Sequence, residues 1–304
     1  MDILLIKPRA KSQLLMVMEL LNSKTQLPEQ EKQYYSVLKK GYEGERLNDL
    51  WIEKLVEERL VLHNLLYEVN NSQFQIDTLV ITQDTLYVFD VKNYEGDYYY
   101  KDNGFYNSSG KEVKNPLHQS KRCETLLRQM LQTLGFNIPI ESYLIFINPG
   151  FHLYHAPANK SIVYPTQLKR FYQNLNTKSS KLHERHKKLA QKLLSENIQE
   201  SIYSKLPTYE YEQLQKGVSC CSCQSLRTSL VKKQVLCHDC GFAEAFEAAV
   251  MRSIGEFRML FPERQVTTNR VWGWCGGIGS KKVIRIVLRG NYRFVEKGKY
   301  SYYE

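Results

Sequence analysis

The 304-residue chain has no apolar run long enough to cross a bilayer. Its N-terminal apolar stretch, Leu14-Leu15-Met16-Val17-Met18, is broken by Glu19 and offers no small-residue cleavage site, so a secretory leader is not expected. There is no internal repeat and no low-complexity tract. Cysteines are missing from most of the chain: five of the seven lie between Cys220 and Cys240. A disulfide scaffold would scatter them through a short secreted chain, so the clustering points to metal, and with neither leader nor membrane span expected a cytoplasmic, reducing location is the default. Acidic residues are in deficit, 32 against 42 Lys and Arg, a net charge of +10 that favours a polyanionic partner. What is present is ample apolar material, 42% hydrophobic and 12% aromatic, enough for a sizeable core in about two domains.

Hydrophobic spacing gives a coarse map. Leu14, Leu15, Val17, Met18 and Leu21 predict a helix over 9–22, and Pro28 opens a second to about Lys39. A longer helix is expected from Tyr42 to near His63-Asn64, with Leu47, Leu50, Trp51 and Leu55 on one stripe. Extended segments follow at 65–70, 74–82 and 85–93, the last two joined by the short turn Gln83-Asp84. Residues 97–106 read as further strand. Asn115-Pro116 ends it, and 118–134 is helical by pattern. Short apolar strands are expected at 143–148 and 161–164. Residues 166–200 read as charged helices with a solvated face, and 201–217 as a linker.

Residues two apart in a strand share a face, so Asp90 and Lys92 in Phe89-Asp90-Val91-Lys92 project together. Asp77 sits in the preceding strand among apolar residues, where a charge is costly unless paired or metal-bound. The short turn makes the two strands neighbours, and Glu45 on the preceding helix supplies a third carboxylate. Oxygen donors of this kind suit magnesium, which keeps waters for a phosphate substrate, and a nearby lysine suits charge developing on that phosphate. From spacing alone, a pair of surface salt bridges explains the pattern better.

A longer stretch changes that balance. Gly41-Tyr42-Glu43-Gly44-Glu45, Gln75-Ile76-Asp77, Asp90-Val91-Lys92-Asn93 with Gly96, and Asn115-Pro116-Leu117 followed by Gln119 resemble the NERD (nuclease-related domain) family, in its order and at similar separations. The resemblance spans roughly 38–150. It implies the PD-(D/E)xK nuclease superfamily, an α/β fold with a restriction-endonuclease-like mixed sheet flanked by helices, and magnesium- or manganese-dependent attack on nucleic acid. It also implies that Glu45, Asp77 and Asp90 bind the metal, that Lys92 is the catalytic lysine and that Gln119 is ancillary. Asp90 departs from the family's more usual glutamate and has a shorter reach.

Cys220-x2-Cys223 and Cys237-x2-Cys240, thirteen residues apart, have the spacing of two knuckles holding one tetrahedral zinc, with Gly241 suited to the turn after the second. Cys221 is a spare thiol able to stand in for Cys220, His238 a bystander, and Cys123 and Cys275 core thiols. Downstream, helices are expected over 242–261, 267–275 and 280–289, the last with Val283, Ile284, Val287 and Leu288 inward, then a hairpin over 292–303. That order resembles a winged helix-turn-helix, whose second motif helix would bring Lys281, Lys282, Arg285 and Arg289 to DNA. Nine Lys and Arg face one acidic residue between Arg264 and Lys299.

The expected organisation is an N-terminal helical extension (1–40), a nuclease-like domain (41–165), a basic helical segment and linker (166–217), a zinc ribbon (218–242) and a winged-helix-like domain (243–304). The function expected is a metal-dependent nuclease favouring DNA, with no membrane association. The alternatives are a nucleic-acid-binding protein without turnover, or a regulator whose zinc and helical modules bind proteins.

Overall fold

The computed structural model describes residues 3–198 and 206–304, and these divide into two compact units, 3–12 with 36–198 and 13–35 with 206–304. Part of the linker expected at 201–217 therefore lies outside the described residues. Among those described, no helix is long and apolar enough to cross a membrane.

Strand β1 (Ile3–Lys7) is followed by α1 (Gln13–Lys24), which belongs to the second unit, and by α2 (Glu29–Ile52), within which the division falls. Then come β2 (Arg59–Val69), β3 (Ser72–Ile81), β4 (Leu86–Lys92), β5 (Gly96–Lys101), β6 (Gly104–Asn107), β7 (Glu112–Val113) and α3 (Pro116–Thr133). The first unit closes with β8 (Ile140–Phe146), β9 (Phe151–Tyr154), β10 (Ile162–Val163), α4 (Leu168–Asn176) and α5 (Glu184–Ser195).

The principal sheet has the order β1-β2-β3-β4-β8-β10 and is mixed: β2, β3 and β4 form an antiparallel meander, while β1, β8 and β10 join in parallel. Alternating residues divide between two cores. Leu60, Leu62 and Val88 pack with Leu127 and Leu131 of α3 and Leu189 and Leu193 of α5. Val61, Val80 and Phe89 pack on the opposite face with Ile52, Leu55 and, from α4, Leu168 and Tyr172. Each such buried side chain contributes about 1.5–3 kcal/mol. Helices thus flank both faces, as expected. A second sheet, β7-β6-β5-β9, packs Phe105, Phe151 and Leu153 against Leu144 and Phe146.

Four local expectations change. The two helices expected over 28–39 and from 42 are one continuous helix, which stops at Ile52 instead of running to His63. Residues 59–63 belong to β2 because their apolar side chains divide between the two cores, as a strand allows and a one-sided helix does not. The stripe moves as well: Gly44, Asn48 and Ile52 are buried, whereas Leu47 and Leu50 are about half exposed. Strand β1, absent from the hydrophobic map, pairs in parallel with β2 at the sheet edge.

In the second unit, β11 (Thr228–Val231), β12 (Gln234–Cys237) and β13 (Ala243–Ala245) form an antiparallel sheet. Helices α6 (Phe246–Leu260), α7 (Thr268–Trp274) and α8 (Lys281–Asn291) follow, then the pair β14 (Phe294–Val295) and β15 (Tyr302–Tyr303). The helix expected from 242 starts at Phe246 because 243–245 complete the ribbon sheet. Thr267 and Ser280 cap α7 and α8 by accepting from the Arg270 and Val283 amides. A bridge from Val266 to Tyr303 ties the segment between α6 and α7 to β15. Ile284, Val287 and Leu288 face the core, but Val283 is exposed. Helix α1 is anchored by Lys24, fully buried, which donates to the Gly217 carbonyl (3.0 Å) and lies 3.6 Å from Glu256.

Two glycines of α2 separate packing from propensity. A Cβ at Gly41 meets nothing within 4 Å, whereas one at Gly44 would lie 2.5 Å from the Cβ of Asn93. Asn93 cannot yield easily, since it donates to the Lys40 carbonyl and accepts from Asn148. Gly41→Ala should raise stability by up to about 1 kcal/mol, the helix-propensity gain. Gly44→Ala should lower it, because overpacking costs about 1–3 kcal/mol and exceeds that gain. Denaturant melts of the two variants check both signs, and a Gly44→Ala protein as stable as Gly41→Ala contradicts the close packing of α2 on Asn93.

Candidate active site and thiol cluster

Strand β4 places Asp90 and Lys92 on the same face as Leu86 and Val88, the face that α3 covers. The β3–β4 ladder runs from Ile81↔Leu86 to Thr78↔Phe89 and stops there. The next pair in register would be Asp77 with Asp90. Instead the strands part, and the Val91 amide donates to Oδ2 of Asp77 at 2.9 Å. The alternation of β3 breaks at the same point. Ile76 and Leu79, three apart, face one core, as do Leu62 and Leu65 on β2. Asn64 lies at the position opposite Asp77 in a left-handed conformation (φ 50°), which supplies the turn of the backbone.

The parting leaves a cleft of about 530 Å³, lined by Glu45, Gln75, Asp77, Asp90, Lys92 and Gln119 among others. Lys92 Nζ lies 2.6 Å from Asp90 Oδ1 and 3.5 Å from Gln119 Oε1. Gln119 is placed by a capped helix start: Asn115 accepts from the Leu117 amide (3.0 Å) and Pro116 occupies the first turn. Gln75 donates to the other oxygen of Asp77 at 3.3 Å.

Negative charge is crowded here. Burial, then the neighbouring Asp90, holds the Asp77 carboxyl above the usual range, against the pull of Lys92 and the Val91 amide. Glu45 is raised for the same two reasons, burial and then Asp77, with Arg9 opposing. Burial disfavours the Lys92 ammonium, but Asp90 and Asp77 outweigh it, so its proton is held more tightly than usual.

Arg9, Asp49 and His63 complete the cluster, and none of them belongs to a motif visible in the sequence. The Arg9 guanidinium donates to both oxygens of Asp49 (2.6 and 2.9 Å), to Glu45, to Asn64 Oδ1 (2.7 Å), to Thr78 Oγ1 (2.9 Å) and to the Asp77 carbonyl (3.0 Å). It also lies 3.1 Å from His63 Nδ1. Burial lowers the His63 pKa to about 4, against Asp49 and with help from Arg9 and Lys7, so the ring is neutral at ordinary pH. The i, i+4 spacing of Glu45 and Asp49 is a usable sign that both share one face of α2. Arg9 has none, lying in irregular chain after a strand that the hydrophobic map lacks.

In the second unit, the Sγ atoms of Cys220 and Cys240 are 3.6 Å apart, as are those of Cys223 and Cys237, and all four lie within 4.8 Å of one another. This fits a tetrahedral metal such as zinc. Cys221 is exposed and outside the set, and His238 contacts Ser229 Oγ (2.9 Å) instead. Gly241 takes a left-handed φ of 73° in the turn after the second knuckle. Among the described residues, this is the one His, Cys, Asp or Glu group gathered tightly enough to hold a metal as it stands. Glu45, Asp77 and Asp90 line their cleft without closing to that spacing; Glu45 is drawn to Arg9 and Asp90 to Lys92. On α8, Lys281, Lys282, Arg285 and Arg289 are all exposed.

Elemental analysis of purified protein should find one metal equivalent on the thiols. Cys221→Ser should retain it and Cys237→Ser should lose it; the reverse pattern would show that Cys221 is the ligand.

Residues 40–147 match the family NERD, described as the nuclease-related domain. No curated protein and no solved structure matches the chain. The match takes in Glu45, Asp77, Asp90, Lys92 and Gln119 and stops short of Arg9 and the thiol cluster. The cleft where β3 and β4 part thus lies in a NERD nuclease-related domain, carried by this chain over residues 40–147.

Proposed function

We propose that the cleft is the active site of a divalent-metal-dependent nuclease that hydrolyses phosphodiester bonds. The observation that carries this is the convergence of Asp77, Asp90, Lys92 and Gln119 from β3, β4 and α3, with Glu45 from α2, in one cleft of a nuclease-related domain. Carboxylate oxygens are the donors that magnesium or manganese takes, and the raised Asp77 and Glu45 carboxyls mark charge that a cation would relieve. Held by Glu45, Asp77 and Asp90, such a cation would polarise the phosphoryl oxygen and lower the pKa of a bound water.

The chain's own groups do the rest. The Val91 amide and Gln75 fix both oxygens of Asp77, so its orientation is set before substrate arrives. Lys92 keeps its proton and so acts as a fixed cation beside the charge developing on phosphorus, rather than as a base. Gln119 lies beside the lysine and limits its swing. Asp90, one methylene shorter than glutamate, is the ligand whose reach governs turnover.

DNA is the favoured substrate. The second unit carries three short helices followed by a β-pair, and α8 presents four exposed cations that would enter a major groove. RNA's deep, narrow major groove does not admit such a helix. On this view 41–165 is the catalytic module, 218–242 a structural zinc ribbon and 243–304 a winged-helix-like targeting module. The remaining segments are an N-terminal extension (1–40) and a basic connector (166–217). A set of four reduced thiols suits a cytoplasmic setting.

Cleavage of single- and double-stranded DNA and RNA, with magnesium or manganese and with chelator, tests the proposal. Asp77→Asn or Lys92→Ala should reduce cleavage by at least about a hundredfold, and undiminished cleavage in either would sink the site assignment. Tight, salt-sensitive binding without cleavage would instead support a binding protein lacking turnover. Separately, Lys281, Lys282 and Arg285 changed together to alanine should weaken DNA binding and reduce the salt slope by about one for each phosphate no longer neutralised. An unchanged slope would remove α8 from the interface.

A further inference from the structure

Arg9 lies outside the matched residues 40–147, yet its side chain is only 4% exposed and reaches the wall of the cleft. Its partners fall into two groups. Asp49 takes the guanidinium side-on through two hydrogen bonds, and Asn64, Thr78 and the Asp77 carbonyl fix its plane. Of these partners only Asp77 has a carboxylate in the cleft, and Arg9 meets its backbone carbonyl instead. Glu45, whose carboxylate also lines the cleft, takes an N–H of Nη1, the nitrogen that also donates to Asn64. Asp49 is thus the anchor, and Glu45 is what the anchored group holds.

The same guanidinium spans α2, β2 and β3 at the point where the β3 alternation breaks, binding the Asn64 side chain and the Asp77 backbone on either side of that break. Two features that define the cleft therefore meet on one side chain: where Glu45 points, and where β3 leaves β4. Lysine could supply the charge but not five donors in a fixed plane.

We propose that Arg9 is a positioning residue of this site, acting through Glu45 to set the cleft's affinity for a divalent cation. The proposal rests on Glu45, Asp77 and Asp90 being cation ligands. Groups that orient a metal ligand from behind typically change metal affinity or activity ten- to a hundredfold when removed.

Manganese binding to the full chain, followed by calorimetry, reads the effect without cleavage. Wild type should bind manganese at the cleft, and Arg9→Lys, which keeps charge and most of the volume, should bind it about ten- to a hundredfold more weakly. Arg9→Ala should lose at least as much, but removes so many hydrogen bonds that unfolding could imitate the result. Arg9→Lys with an intact thermal transition is therefore the deciding variant. Glu45→Gln should weaken binding too, and adding Arg9→Lys to it should cost little more, because both act through one carboxylate. Wild-type affinity in folded Arg9→Lys, or losses that simply add, would overturn the proposal while leaving the nuclease assignment intact. Coupled losses in a protein that never cleaves would uphold Arg9 and defeat turnover. A wild type that binds no manganese at the cleft would overturn both.

Discussion

The first unit is organised around one hydrogen bond, from the Val91 amide to the Asp77 carboxylate. An antiparallel ladder that continued past Thr78↔Phe89 would satisfy that amide with backbone and close the cleft. A side chain satisfies it instead. Strand β3 is thereby free to turn away from β4 without leaving a buried donor unpaired, which would cost about 1–3 kcal/mol. The opening is stable because the residue that makes it also supplies the acceptor that the parted strand withdraws. A carboxylate is the acceptor suited to this task beside Lys92, which helps to offset the cost of its burial.

Several parts of this arrangement are legible in the sequence because they follow from short-range rules. Period-two alternation puts Asp90 and Lys92 on one face, and the short turn at Gln83-Asp84 makes the strands of Asp77 and Asp90 neighbours. Asn115-Pro116 marks the start of α3 and so the place of Gln119. The paired CxxC spacing marks four thiols that the fold gathers within 4.8 Å. Other parts depend on what chain distant in sequence does. The end of α2 is hidden because Leu55, Leu60 and Leu62 continue an apolar pattern that suits helix and strand alike. Two separate cores assign them, and those cores are built by α3, α4 and α5. Asn64 is a residue type that enters the left-handed region readily, but inside an apolar strand nothing local marks it as doing so. Arg9 itself is invisible, since its meaning lies in partners 36 to 69 residues away.

The thiol cluster and the proposed cation site differ in a way that follows from ligand chemistry. The thiols sit on tight turns of a small sheet, and they stand close together, as a closed structural site requires. The carboxylates sit on three separate elements and are each held by a hydrogen-bond donor or cation of the protein: Glu45 by Arg9, Asp77 by Val91, Asp90 by Lys92. Such a set remains open to water and substrate. It also has to be kept from splaying apart by its own repulsion, and that role falls to the two cations.

Charge counting shows why two cations are not enough. Glu45, Asp49, Asp77 and Asp90 bring four negative charges to a largely buried cluster, and Arg9 and Lys92 bring two positive ones. His63 adds nothing, because burial keeps it neutral; Lys7, whose ammonium donates to the His63 and Asn64 carbonyls, adds positive charge from outside the cleft lining. Negative charge is still in excess. The upward shifts of Glu45 and Asp77 come first from burial and then from the neighbouring carboxylate, Asp77 for Glu45 and Asp90 for Asp77. A cation in the cleft would offset this excess and favour the ionised forms of Glu45 and Asp77. The cluster therefore carries an excess of negative charge at the place where β3 and β4 leave room for the cation proposed above.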